Sequence, residues 1–182
     1  MSSPASAQRT QSRLALVEAH IGHENRHDLE AVMSTFGSGA QFDDEPWSDH
    51  RTGLDGVRSY YTDLLTAVPD LVIDVVQCHV AADSIIAEVT IGGTHLGPWR
   101  GLPATGRRVH VPLCGVYTFD SADRLAGERI YYDRALVLQQ LGFFHEPVGL
   151  GRLVTALSHP ISLVRALLRR SRRGLADGVS TG

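Results

Sequence analysis

Gly92-Gly93-Thr94-His95-Leu96-Gly97-Pro98-Trp99 runs into Gly101-Leu102-Pro103-Ala104-Thr105-Gly106-Arg107-Arg108, and two alternating runs follow, Val109 to Phe119 and Leu125 to Asp133. A strand, a glycine- and proline-rich loop and two further strands are the reading of this stretch. The second pair is joined through Asp120-Ser121-Ala122-Asp123, the composition of a tight turn. Pairing symmetric about that turn sets Phe119 opposite Arg124, Cys114 opposite Arg129 and His110 opposite Asp133. From Asp133 to Gly142 the period becomes helical. A carboxylate where an apolar strand gives way to a helix is a natural place for chemistry.

Upstream, Leu14, Val17, Ile21, Leu29, Val32, Met33 and Phe36 recur at helical spacing. They predict one helix from Arg9 to Phe36, ended by Gly37-Ser38-Gly39. The stripe is interrupted on its core-facing side at Glu24, Asn25 and Asp28. A short strand over Ala40–Glu45, a helix over Gly53–Val68 and a hairpin of Leu71–Val80 with Ser84–Thr94 complete the set. Helices first and a mostly antiparallel sheet after them define an α+β fold. A strongly curved sheet packed on helices leaves a concave pocket, where ligands bind.

The 182 residues suffice for one core, with 43% hydrophobic residues and a net charge of −3. The 17 basic residues are all arginine. Residues 1–145 carry 11 Arg against 18 acids, a net −7, which argues against nucleic acid as the main partner. Residues 146–182 carry 6 Arg against 2 acids, a net +4. The expected organisation is a disordered 1–8, an α+β domain over 9–145, and a basic amphipathic extension over 146–182. That extension reads as a helix packed on the body or a second subunit, or as a weak contact with a membrane surface. Cys78 and Cys114 lie in apolar runs, as reduced buried cysteines do, and no secretion signal or membrane span is visible. A cytoplasmic location follows as the expectation. Strands apolar on both faces, 71–80 and 109–119, predict a homodimer through the open face of the sheet.

The chain resembles the SnoaL-like polyketide cyclases of the nuclear-transport-factor-2-like superfamily. The matching motifs are His27-Asp28-Leu29-Glu30-Ala31-Val32, Gly56-Val57-Arg58, Val68-Pro69-Asp70-Leu71, Gly93-Thr94-His95-Leu96-Gly97, Gly101-Leu102-Pro103-Ala104-Thr105-Gly106-Arg107, and Asp133 with Gln140-Leu141-Gly142. The resemblance implies a cone-shaped α+β barrel with a deep apolar pocket, commonly dimeric. In that family a pocket aspartate serves as acid and base for an intramolecular aldol closure without metal or cofactor. Two departures stand out. Glu128-Arg129-Ile130-Tyr131-Tyr132 carries no tryptophan ahead of Asp133, and the basic extension is additional.

On this reading Asp133, His95 and His110 are the candidate catalytic residues. Candidate substrate contacts are Asp44, Asn25, His27, Trp47, Tyr61, Trp99, Tyr117 and Tyr131. The competing reading of Asp133 is a helix cap or an ion pair with Arg129 or Arg134. His23-Glu24-Asn25-Arg26-His27 fits the zinc pattern H-E-x-x-H but lacks a supporting third ligand, so neither metal nor cofactor is expected. The expected activity is proton transfer at carbon on a hydrophobic carbonyl compound, by cyclisation, isomerisation or dehydration. A non-catalytic small-molecule binding or assembly protein is the alternative.

Overall fold

The computed structural model divides the chain at Phe144–His145 and describes residues 4–143, all within the first unit. The expected C-terminal extension lies outside the described residues. The helix expected over 9–36 is two: α1 (Pro4–Asn25) and α2 (Leu29–Thr35). His27 takes a positive φ of 55° between them, and Asp28 restarts the helix by accepting from the Ala31 amide at 3.0 Å. Helix α1 also begins earlier than expected, with Pro4 in its first turn, so residues 4–8 are helical.

The chain then forms β1 (Phe36–Asp44), a short 3-10 turn, β2 (Asp49–Thr52) and α3 (Gly53–Ala67). Strands β3 (Val72–Val80), β4 (Ser84–Thr94), β5 (Arg108–Phe119) and β6 (Leu125–Tyr132) follow, then helix α4 (Arg134–Gln140). One six-stranded sheet has the order β2-β1-β6-β5-β4-β3, antiparallel except where β1 runs parallel to β6. It is not closed: β2 and β3 are its edges, and it curls so that β1 and β3–β6 share one pocket. Gly37-Ser38-Gly39 lies inside β1 at a register shift rather than ending a helix, and β2 went unseen in the sequence because four polar residues show no alternation.

The core unites Val17 and Ile21 of α1, Val32 of α2, Val57, Tyr60 and Tyr61 of α3, and the inner face of the sheet. Each such side chain contributes about 1.5–3 kcal/mol when withdrawn from water. Strand β3 leaves Val72, Val75, Val76 and Val80 exposed, the apolar surface behind the expectation of a second subunit.

The β5–β6 pairing differs from the symmetric register. Asp120 accepts from the amides of Ala122 and Arg124, which draws Arg124 into the turn. Phe119 therefore pairs with Leu125 and Cys114 with Tyr131. The ladder ends at Leu113 and Tyr132, so His110 has no partner on β6 and Asp133 lies past the sheet.

Candidate functional site

Two unlike acid clusters are built around the core. The first belongs to a pocket lined by residues of α1, α3, α4 and the inner face of the sheet, enclosing about 910 Å³ counted out through its mouth. Its walls are aliphatic side chains and six aromatic rings: Phe42, Tyr60, Tyr61, Trp99, Tyr117 and Tyr132. Glu24, Glu128 and His95 reach into them. No arginine lies among the described lining residues.

Glu24 arrives because it occupies the next position of the α1 stripe after Val17 and Ile21, where the helical period demands an apolar residue. Glu128 arrives because β6 alternates, with Glu128, Ile130 and Tyr132 inward and Arg129 and Tyr131 outward. His20, one helical turn before Glu24, faces both acids: its Nε2 is 3.2 Å from Glu128 Oε2 and 3.8 Å from Glu24 Oε2. Thr35 donates its hydroxyl to Val32 O at 2.6 Å, so its oxygen accepts from His20 Nδ1–H at 2.8 Å. Tyr61 donates to Glu128 at 2.6 Å, and Tyr117 faces the same carboxylate.

Glu128 is thus well supplied with donors, while Glu24 Oε2 has no hydrogen-bond partner. Burial pushes the Glu24 carboxyl up to about 8; Glu128 adds to the rise, and His20 and Tyr61 oppose it. Burial lowers the His20 imidazole, but the facing carboxylates outweigh it and its pKa is raised.

His95 follows the end of β4, in a loop seated on the end of α3. The amides of Leu96 and Gly97 donate to Ala67 O at 2.8 and 3.0 Å. A Cβ at Gly97 would lie 2.3 Å from Thr66 O, so only glycine permits this approach. His95 is 1% exposed. Its Nδ1 lies 3.1 Å from the Thr105 hydroxyl and its Nε2 has no partner. Burial lowers its pKa, which keeps it neutral at pH 7.

Among the described residues, four buried side-chain polar atoms lack a hydrogen-bond partner, and the two that belong to ionisable groups in this pocket are Glu24 Oε2 and His95 Nε2. A carboxylic acid held protonated can donate to a carbonyl oxygen, and a neutral imidazole can take a proton from carbon.

The second cluster surrounds Asp44 at the end of β1. Asp44 is fully buried and accepts from Arg100 Nη2 at 2.9 Å and from the hydroxyls of Tyr60 and Tyr132 at 3.2 Å. Burial raises its pKa, and Arg100 and the two tyrosines offset part of the rise. Arg100 also bonds Asp49 and lies 4.5 Å above the Trp99 ring. Two carboxylates, Asp44 and Asp49, therefore flank Arg100. None of the three lines the pocket, and Asp44 is screened from it by Tyr60 and Tyr132.

The other candidates divide. Tyr61, Trp99 and Tyr117 line the pocket. Asp133 does not: it is exposed and caps α4, accepting from Ala135 N at 2.8 Å and Leu136 N at 3.1 Å. The alternation that turns Tyr132 inward turns its neighbours Tyr131 and Asp133 away, and Tyr131 is 43% exposed. His110 is exposed, and its backbone is clamped by Gln140 through bonds of 2.8 and 3.0 Å.

Asn25 exchanges two bonds with the Ile73 backbone, and His27 donates to Leu71 O, so both fasten the end of α1 to the β3 side instead of meeting the pocket. Trp47 packs under Arg134, 5.2 Å from its ring, outside the lining. In the H-E-x-x-H stretch only Glu24 turns inward; His23 bonds Arg26 and His27 the β3 side. Among the described residues, two groups bring potential metal-ligating atoms within 4.8 Å of one another: His20–Glu24–Glu128 and Asp43–Glu45–His50. His20 with Glu128, and Arg129 and His50 with Asp43, already bond one another in these groups.

A curled α+β sheet wrapped around an acid-bearing apolar pocket defines a ketosteroid-isomerase-like fold. The sequence pattern of the SnoaL-like polyketide cyclases matches residues 13–141, and the chain belongs to that family. Solved structures agree on the fold. A candidate SnoaL-like polyketide cyclase from Jannaschia sp. CCS1 shares 18% identity over 80% of this chain and 99% of its own, with a TM-score of 0.68. AclR, a candidate hydroxylase from Streptomyces galilaeus, shares 21% over 75% and 99%, with a TM-score of 0.65. A protein of ketosteroid isomerase-like fold from Catenulispora acidiphila shares 16% over 71% and 93%, with a TM-score of 0.62. No curated protein sequence matches the chain.

Proposed function

We propose that this family member catalyses proton transfer at carbon on a hydrophobic carbonyl compound, with His95 as base and Glu24 as acid. The observation that carries the reading is the pair of unpartnered polar atoms, Glu24 Oε2 and His95 Nε2, in one apolar pocket. The environments of the two groups push them in opposite senses, so near neutral pH the carboxyl is protonated and the imidazole is not. In an aldol cyclisation His95 removes the α-proton, and the carbanion attacks the second carbonyl carbon of the same molecule. A carbon–carbon bond forms and the carbonyl π pair moves to oxygen. Glu24 supplies the proton to that oxygen, and solvent returns a proton from His95 to Glu24. The same pair serves an isomerisation or a dehydration. No step requires a cofactor, because a base, a donor and a dry pocket meet the demands of an enolate.

The test is α-proton exchange of hydrophobic cyclic ketones in deuterium oxide, followed by NMR. Exchange should trace a bell in pH, rising as His95 loses its proton and falling as Glu24 ionises near about 8. His95→Gln should lower the rate about 10²–10⁴-fold with the fold intact. Rates unchanged in both His95→Gln and Glu24→Gln would refute the assignment.

A further inference from the structure

The same pocket has a second chemical consequence, which goes beyond the reaction proposed above and does not depend on it. Its described lining holds two buried carboxyl groups and no arginine, and the chain has no lysine. Glu128 accepts from Tyr61 and bonds His20, but Glu24 is 5% exposed and its Oε2 has no hydrogen-bond partner, with His20 Nε2 at 3.8 Å. The aromatic faces of Trp99, Tyr60, Tyr61, Tyr117, Tyr132 and Phe42 line the same space. Aromatic faces attract cations by their quadrupoles, and a quaternary ammonium can be stripped of its weakly held water at modest cost. An anionic ligand would meet the two acids, and the one cationic group that faces them, the His20 imidazole, is already bonded to Glu128.

We infer that this pocket binds hydrophobic organic cations, the ammonium head pairing with Glu24 and the apolar body filling the aromatic walls.

Pairing with a cation requires Glu24 to give up its proton, so binding releases one. The groups facing Glu24 are His20 on the same helix, Glu128 on β6, Tyr61 on α3 and Tyr117 on β5. All four are retained in Glu24→Gln, which removes the titrating carboxyl alone. The probe is benzyltrimethylammonium, whose charge does not change with pH, beside its neutral carbon isostere neopentylbenzene. Both are titrated calorimetrically into the full chain from about pH 6 to about pH 9, where release of one proton gives a tenfold change per unit. The cation's affinity should rise roughly tenfold per unit up to about 8 and then level, while the isostere shows no rise. In Glu24→Gln the rise should fall well below tenfold per unit, leaving only what His20 contributes, and binding of the isostere should persist.

A cation affinity that is flat with pH, or an isostere that binds where the cation does not at the alkaline end, overturns the inference and leaves the proton-transfer reading standing. Binding of neither probe removes the cavity as a ligand site and overturns both. Cation binding with the expected slope, in a protein that exchanges no α-protons, supports this inference and sinks only the reaction.

Discussion

Asp44 and Glu24 are both buried acids and have opposite chemistry. Asp44 has a guanidinium and two tyrosine hydroxyls on its oxygens, and those tyrosines stand between it and the pocket. Glu24 has an imidazole at 3.8 Å, a carboxyl facing it and a buried oxygen without a hydrogen-bond partner. A buried acid that is fully satisfied fixes structure. A buried acid left short of donors beside a cavity holds a proton it can give away. The difference lies in the partners and not in the depth.

That contrast is broken most severely by removing the arginine. Arg100→Met strands Asp44 without its cation and frees one side of Asp49, and loss of one partner of a buried pair should cost about 3 kcal/mol or more. Denaturant unfolding would measure it. A variant as stable as the parent would mean that Tyr60 and Tyr132 alone satisfy Asp44, and the two clusters would then differ less than the geometry indicates.

The Glu24 side of the comparison is sharpened by pH. Its carboxyl titrates near 4.5 when unfolded and near about 8 when folded. Between those values the folded chain keeps a proton that the unfolded chain has released, so stability falls as pH rises through the window and the loss is complete above about 8. His20, raised above 6.5, acts in the same sense. His95, lowered below 6.5, acts in the opposite one, its contribution lost as pH falls. Glu24→Gln should therefore unfold with a shallower pH slope than the parent, by at most about 1.4 kcal/mol per unit. Parallel stability curves from pH 5 to 8 would show Glu24 ionised in the folded protein and strip it of its role as acid.

The fold was legible because it rests on periods. The alternation of residues 109–119 and 125–133 and the helical stripe from Leu14 to Phe36 survive any detail of register. The site was less so, because it depends on which neighbour of a pair faces inward. The sequence points to Tyr131 and Asp133, whereas the alternation of β6 turns Glu128, Ile130 and Tyr132 into the pocket. A usable signal was present on α1. Glu24 interrupts an apolar stripe at a core position, and a charge there must be satisfied or functional. His20, another helical turn back on the same face, strengthens that signal. The Asp44–Arg100 pairing joins a strand end to a loop 56 residues on and has no periodic trace in the sequence.

The smallest expected effect falls on Asp133, the residue the sequence marks most plainly for catalysis. Its carboxylate accepts from Ala135 and Leu136 at the start of α4, and α4 supplies Val137 and Leu141 to the pocket wall. Asparagine caps a helix about as well as aspartate, so Asp133→Asn should leave stability within a few tenths of a kcal/mol. Asp133→Ala removes the acceptor from two amides and should cost about 1 kcal/mol, the ordinary value of an N-cap. Neither change touches the cavity chemistry, so exchange rates should stay close to the parent's in the Asn variant. In the Ala variant the loss should fall on KM, because a loosened α4 weakens the wall without altering His95 or Glu24. An Asp133→Asn protein with unchanged stability and a hundredfold slower exchange would return the base to Asp133. Glu24 would then be a buried acid that tunes the pocket without reacting in it.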